Sequence, residues 1–205
     1  LLRVDVPSLS QPQVLGWLRA IALVSIRLGK PDATQREALI AKLDPLLPNT
    51  SDDVNIELVK LLVSLRAPAV IEKKFAMIEG RQPPKTPDWS DFASRNAGYG
   101  GTVKKVLDNH PPSRELGYAL ALRTLRDGWS IDQRRAYFRF LNEAAKASGG
   151  ASYPGFMRNI RDEALGNCSD AQRIALQDIT GESYDPVPDF EIAPIRGPGR
   201  VWTVA

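Results

Sequence analysis

Apolar residues recur at three- and four-residue intervals along most of residues 1–181, in segments that glycine or proline separates. This spacing places apolar side chains on one face of an α-helix. Most segments follow Ser or Asp, whose side chains can accept hydrogen bonds from the free amides of a helix N-terminus. The pattern predicts helices over about residues 10–28, 32–43, 52–65, 69–79, 89–95, 102–109, 114–126 and 130–148, then from 152 through at least 164, and over 169–180.

Residues 128–162 carry the densest set of helix signals in the chain. Ser130 and Gln133 have the spacing of a capping box, and Gly149 and Gly150 are predicted to end that helix. Pro154 lies in the first turn of the next helix. The predicted apolar positions are Ile131, Tyr137, Phe138, Leu141, Phe156, Ile160 and Ala164. The arginines Arg134, Arg135 and Arg139 are predicted to face solvent.

The segment NIELVKLLVSL, residues 55–65, is apolar around most of its predicted helix. Such a helix is expected to be buried on more than one side. It is followed by a tight turn, Arg66 to Pro68, and then by a partner helix, and such helical hairpins recur at roughly 40 residues. The sequence therefore predicts an all-α protein. Residues 1–181 are expected to form an α-solenoid of HEAT-like hairpins, a right-handed array of about nine or ten helices.

Two segments break the helical pattern. Residues 80–87, GRQPPKTP, are predicted to form an exposed loop because proline and glycine interrupt regular structure. Residues 182–205 are rich in proline and are predicted to form an extended C-terminal strap or linker. Tyr184, Phe190 and Trp202 favour a strap that packs on the helices, since a free linker has little use for large apolar groups.

Composition narrows the functional classes only moderately. The chain has 27 basic and 24 acidic residues and a net charge of +3, which permits an acidic partner without favouring nucleic acid. No apolar run approaches the roughly 20 residues of a membrane span. The first residues lack the layout of a signal peptide, and the absence of an initial Met predicts a piece of a longer protein.

The residues that usually carry chemistry are few. His110 is the single histidine and is predicted to be an exposed loop residue, and Cys168 is predicted to be a structural cysteine. Asp88 and Asp91 are interpreted as a solvated acidic turn. There is no CxxCH haem motif, no P-loop and no dinucleotide-binding glycine pattern. The sequence therefore predicts no catalytic residue, no metal site and no bound cofactor.

Partner-binding residues are the remaining candidates. Arginines on neighbouring helices could form a positive patch, or they could simply be the charged outer face of those helices. The tryptophans are expected to pack mainly in the core or under the strap. The predicted partner-binding residues are Arg135, Arg139, Arg158, Arg161 and Trp202.

Several spaced blocks resemble one bacterial family. They are NIELVKLLVSL followed by AlaPro, YALALRTLRDGW, QRRAYFRFLNEA, GGASYPGFMRNIRDEA and the closing GPGRVWTV. Over roughly residues 50–205 the chain resembles the helical region of large multidomain proteins from planctomycete-type bacteria. In those proteins a HEAT-like region follows a β-propeller of the sugar-dehydrogenase type and precedes a c-type cytochrome domain. The chain departs from that pattern because it lacks the haem motif, and residues 80–110 match only loosely.

The resemblance implies a scaffold between redox modules in an exported, periplasmic protein that could itself be an oxidoreductase. The first hypothesis is therefore a non-enzymatic helical scaffold that spaces or docks protein domains of the same longer chain. The alternative is a HEAT-like nucleic-acid-binding protein or base-excision enzyme with a concave basic groove. A third hypothesis is a redox fragment that contributes residues to the site of a neighbouring domain.

Overall fold

The computed structural model describes residues 1–79 and 109–181, and all the regular structure in these ranges is helical. The predicted all-α class is therefore confirmed for the described part of the chain. The loop at 80–87, the helix predicted at 89–95, all but the last residue of the helix predicted at 102–109, the Asp88–Asp91 pair and the 182–205 extension lie outside the described residues. The α-helices are α1 Gln11–Leu28, α2 Ala33–Leu43, α3 Asp52–Ser64, α4 Val70–Glu79, α5 Ser113–Leu122, α6 Ile131–Ala144, α7 Tyr153–Gly166, α8 Asp170–Ala175 and α9 Gln177–Thr180. Short 3₁₀ turns cover Val6–Ser8 and Asp44–Leu46.

Reciprocal capping hydrogen bonds are present at three of the predicted helix starts. At α6, the Gln133 amide donates to Ser130 Oγ at 3.1 Å and the Ser130 amide donates to Gln133 Oε1 at 2.8 Å. The same reciprocal pair occurs at Asp32 and at Ser169. Each box satisfies two amides that the helix itself leaves without partners.

Three predicted helix ends are wrong. The α5 helix ends at Leu122 rather than near residue 126, because the chain turns so that Leu125 is buried. The α6 helix ends at Ala144, well before the glycine pair, because the Ser148 amide bonds the Asn109 carbonyl at 2.8 Å and draws the chain away. The last predicted helix is two short helices, divided at the buried Leu176.

The helices pack in an order that follows the chain. The α3 helix contacts α1, α2, α4 and α5, and α5 also contacts α6 and α7. Leu58, Val59 and Leu62 of α3 are completely buried, which confirms the prediction that α3 is covered on more than one side. One connected hydrophobic core runs from α1 through α3 and α5 to α7.

Two predicted core residues lie at the surface. Phe156 is 38% exposed, and Ile131 is 37% exposed. In α7 the buried apolar residues are Tyr153, Met157, Ile160 and Ala164, so Ile160 and Ala164 are buried as predicted and only Phe156 is not. The Tyr153 hydroxyl donates to the Ala144 carbonyl at 2.5 Å, which holds this face of α7 at the end of α6. Ile131 is the first residue of α6 and lies at the exposed end of the helix.

Candidate functional site

Two of the predicted partner-binding arginines make contacts within the chain. Arg135 pairs with the Asp178 carboxylate at 2.5 Å and donates to the Ala175 carbonyl at 2.6 Å, so it connects α6 to α8 and α9. Arg161 is buried and donates to the Thr180 carbonyl at the end of α9. Both guanidinium groups thus attach the last two helices to the body of the protein.

The other predicted partner-binding residues are Arg139, Arg158 and Trp202. Arg139 and Arg158 have exposed side chains on α6 and α7. Trp202 lies outside the described residues. Because Arg135 and Arg161 are used in intrachain contacts, the structure does not bring the predicted arginines together as one open positive surface.

Arg134 corrects a prediction about the exposed face of α6. It is 3% exposed, although the helical pattern placed it in solvent. Its guanidinium lies 5.2 Å from the centre of the Trp129 ring and donates to the Arg126 carbonyl at 2.6 Å and the Asn167 carbonyl at 3.3 Å. The turn before α6 and the turn after α7 therefore meet at Arg134, which satisfies their carbonyl groups.

The Arg134 guanidinium also contacts the single cysteine. Arg134 Nη1 donates to Cys168 Sγ at 3.1 Å, and the thiol donates to the Ala164 carbonyl at 3.4 Å. Burial lowers the pKa of Arg134, and the nearby Cys168 sulfur acts in the opposite direction. Burial raises the pKa of the Cys168 thiol, so the neutral form is favoured despite the adjacent cation. A protonated, buried thiol is a poor nucleophile, and this arrangement fits the predicted structural role.

A second buried cation lies between α4 and α5. The Lys74 ammonium is 3.7 Å from the centre of the Tyr118 ring, and both side chains are buried. Burial lowers the pKa of Lys74 to about 7, opposed by the carboxylate of Asp52, which itself pairs with Arg114 at 2.6 Å. An amine with such a pKa is partly neutral at pH 7 and therefore chemically competent. Its contact with the Tyr118 face is equally the contact of a packed cation–π pair.

The described part of the chain has little further material for catalysis. His110 is exposed in a loop, as predicted, and its ring nitrogen lies 2.7 Å from the Pro111 carbonyl. No group of three or more His, Cys, Asp or Glu side chains suitable for a metal ion occurs in residues 1–79 and 109–181. Polar groups that could receive a substrate are thus scattered across this region, and they do not converge on one place.

The most unusual surface is the C-terminal end of α1. Leu23, Val24, Ile26 and Leu28 are 55%, 43%, 76% and 82% exposed, and we call these four residues the α1 apolar end. At 100° per residue they point in several directions around the helix. A helix that is apolar all round is normally buried. Contiguous exposed apolar surface of a few hundred Å² usually marks an interaction site.

The α1 apolar end extends past the helices that cover the rest of α1. Trp17, Leu18 and Ile21 are buried in the core, whereas every large side chain after Ile21 in α1 is exposed. The cations Arg19 and Arg27 lie on α1 and Lys30 follows it, and α1 itself has no acidic residue. A partner for this end would therefore be apolar, with an acidic margin.

The sequence contained the signal for this surface. The segment LVSIRL, residues 23–28, is apolar on more than one helical face. The single buried face that helical spacing predicts for α1 comprises Val14, Leu15, Leu18, Ile21, Ala22 and Ser25, so it omits all four residues of the α1 apolar end. The burial of Arg134 had no comparable signal, because QRRAYFRF reads as an ordinary amphipathic helix with an arginine-rich polar face.

Comparison with known proteins identified no relative of this chain. No family model, no curated protein and no solved structure matches this chain. The resemblance to the planctomycete-type proteins therefore stays an expectation. Among the helices of the described residues, none is long and apolar enough to cross a membrane.

Proposed function

We propose that this chain is a non-enzymatic helical scaffold that docks protein domains. The observation that carries the proposal is the α1 apolar end, whose four large side chains are exposed beyond the core. Burial of apolar surface stabilises by about 25 cal/mol per Å². A partner that covers this end would thus be held mainly by the hydrophobic effect.

The packing order supports a HEAT-like α-solenoid. Alternate helices contact in succession: α1 packs on α3, α3 on α5 and α5 on α7. In a solenoid each hairpin contacts only its neighbours, and a terminal hairpin needs a polar outer face to remain soluble. The α1 apolar end lacks such a face, which favours a further element packed against it.

The proposed partners are protein domains of the same longer chain. The resemblance described above suggests a β-propeller and a cytochrome domain in an exported, periplasmic oxidoreductase, with this chain setting their spacing. The alternative of nucleic-acid binding is less favoured, because Arg134, Arg135 and Arg161 are engaged inside the described part of the chain. A basic groove would need such groups at the surface.

Hydrogen exchange on the 205-residue chain and on the full product of its gene tests this proposal. We expect the amides of residues 23–30 to exchange at least about tenfold more slowly in the longer product, because a covered helix end opens less often. Equal exchange rates in the two proteins would show that nothing docks there.

A pair of matched variants makes the test specific. Ile26→Gln in the longer product should remove the added protection, because it places a polar group in an apolar contact. Ile174→Gln is the control, since Ile174 is 73% exposed on α8 and Ile26 is 76% exposed on α1. Loss of protection in the control as well would indicate a general destabilisation and count against docking at α1.

A further inference from the structure

A groove separates two turns on the surface of the protein. Two adjoining cavities of about 350 and 310 Å³ share Arg66, Thr124 and Leu125. One wall is the turn between α3 and α4, and the other is the segment between α5 and α6 that ends at Gly128. We call the two cavities together the turn groove.

Arg66 occupies an unusual backbone position in this groove. It follows α3 with a φ of +52° and is the one non-glycine residue with positive φ in the described ranges. The Ala67 amide donates to the Leu62 carbonyl and the Arg66 amide to the Val63 carbonyl, each at 2.9 Å. This is a Schellman motif, in which glycine normally takes the left-handed position. Arginine there carries a conformational cost that glycine would avoid.

Within residues 1–79 and 109–181, the Arg66 side chain has no partner that would explain its presence. It is exposed, and no hydrogen bond or ion pair of its guanidinium occurs in the described part of the structure. A strained residue with a free cation at the centre of a groove points to a ligand that lies outside the described residues.

The charges of the turn groove favour an acidic ligand. Arg66, Arg126 and Lys60 lie along it, against the single carboxylate of Asp127. Lys60 already pairs with Glu57 at 3.0 Å, whereas Arg126 is held only by the neutral Asn167 side chain at 2.9 Å. Two guanidinium groups are thus available for carboxylates, which they can bind in a bidentate manner.

The floor of the turn groove is apolar. Val63, Ile71 and Leu125 line it, and the ring of Pro68 forms part of the margin. The groove therefore suits a peptide that alternates acidic and apolar side chains.

The chain contains such a peptide. Residues 182–192, ESYDPVPDFEI, carry four carboxylates and no cation, with Tyr184 and Phe190 among them. We propose that the turn groove binds residues 182–192 of this same chain, with Arg66 as the principal contact for their carboxylates. The proposal is independent of docking at the α1 apolar end, which lies on a different helix.

The connection is long enough for this contact. The Asn142 side chain donates to the Ile179 carbonyl at 3.1 Å, so α9 ends beside the C-terminal half of α6. From there to Ser130, next to the groove, is about 18 Å along α6. About six extended residues span that distance. Asp189, Phe190 and Glu191 can therefore reach Arg66.

Binding of a free peptide to full-length variants tests the proposal. The probe is a fluorescent synthetic peptide of residues 182–192, measured by anisotropy at low salt. The receptor is the full chain in which Asp185→Asn, Asp189→Asn and Glu191→Gln neutralise the tethered segment. We expect this receptor to bind the peptide at least about tenfold more tightly than the wild-type chain, whose groove the tethered segment occupies.

Arg66 is tested on the same neutralised background. Arg66→Gly should weaken peptide binding at least about tenfold. It should also raise the melting temperature by about 2–4 °C, because glycine removes the left-handed strain. Arg66→Lys should weaken binding less than Arg66→Gly does, because the charge remains and only the bidentate geometry is lost. A variant that is more stable and yet binds less well cannot be explained by unfolding.

Arg3→Gln is the matched control, because it removes an exposed cation from the N-terminal segment, which does not line the turn groove. It should leave peptide binding unchanged. The proposal is overturned if the peptide does not bind the neutralised chain, or if wild type and neutralised chain bind it equally. Equal weakening by Arg3→Gln and Arg66→Gly would also overturn it, since that result indicates only non-specific attraction.

Discussion

In the C-terminal half of α1 the side chains of Ile26 and Leu28 lie in solvent, whereas in α6 the guanidinium of Arg134 lies in the interior. In a soluble helix, apolar residues are expected to be covered and arginines to be exposed. The two regions therefore depart from the pattern in opposite directions.

The difference comes from the number of neighbours that each helix has. The α1 helix is covered mainly by α3 and extends past it, so its last turns have nothing to pack against in the described part of the chain. The α6 helix contacts α5, α7 and α9, and the turns at Arg126 and Asn167 close over its first turns. Burial is thus decided by what surrounds a position.

The surroundings of Arg134 also explain why a cation is tolerated there. Its donors satisfy two backbone carbonyls and the Cys168 sulfur, and Trp129 lies against its guanidinium. Carbonyl groups buried without donors would each cost about 1–3 kcal/mol. The buried arginine therefore solves a hydrogen-bonding problem that the two converging turns create.

The largest expected effect comes from removing that arginine. Arg134→Ala should lower the free energy of unfolding by about 4 kcal/mol, because it leaves two carbonyls unsatisfied and opens a cavity. Urea denaturation monitored by circular dichroism measures it. Arg134→Met, which fills the space without donors, should cost distinctly less. A cost below 1 kcal/mol for Arg134→Ala would show that the guanidinium is not needed for these turns.

A matched pair of isoleucines in α1 gives the next largest effect. Ile21→Ala should cost about 2–4 kcal/mol, because Ile21 is 2% exposed in the core. Ile26→Ala should change the free energy of unfolding by less than about 0.5 kcal/mol in the 205-residue chain, because Ile26 is mostly in solvent. Similar costs for the two substitutions in urea titrations would mean that the α1 apolar end is already covered.

The second buried cation, Lys74, should make the stability of the fold depend on pH. Burial lowers the pKa of both cations, Arg134 and Lys74, and that of Lys74 falls to about 7. Between pH 7 and 9 the unfolded chain binds this proton and the folded chain does not, so stability should rise with pH. The rise should total about 1.5 kcal/mol, since the proton on Lys74 contributes up to about 1.4 kcal/mol per pH unit and Cys168 offsets part of it. Burial raises the pKa of Cys168, so the folded chain keeps a thiol proton that the unfolded chain begins to lose near pH 8.5.

Urea titrations at pH 7, 8 and 9 measure this rise, and Lys74→Met should make the profile flatter. Asp52, Arg114 and Glu115 lie near the pair, and burial raises the pKa of Tyr118 to about 12. The range therefore stops at pH 9, below the titration of tyrosine in the unfolded chain. An unchanged slope in Lys74→Met would assign the pH dependence to another group.

Helix existence could be predicted from the sequence because its causes are local. Ser130 and Gln133 cap α6 through bonds three residues apart, and apolar spacing along α3 reports its buried position directly. The exact ends were less predictable. The end of α6 depends on a bond from Ser148 to Asn109, nearly forty residues away.

Side-chain roles in the candidate site could be predicted only in part. The sequence predicts Arg135 and Arg161 as partner-binding residues. In the structure they contact Asp178 and Thr180 of α9, a helix that packs against α6. Arg139 and Arg135 look alike in the sequence, and only the position of α9 distinguishes the paired side chain from the free one.

By itself the sequence determined the helical class, the helix starts and the apolar character of both α3 and the α1 apolar end, because these depend on residue type and short-range spacing. Only the tertiary structure decided that Ile26 is exposed, that Arg134 is buried and that Arg66 lines the turn groove. These outcomes depend on which surfaces meet in space. The spacing of apolar residues in the sequence shows which helix faces favour burial, and the tertiary structure shows which of those faces are covered.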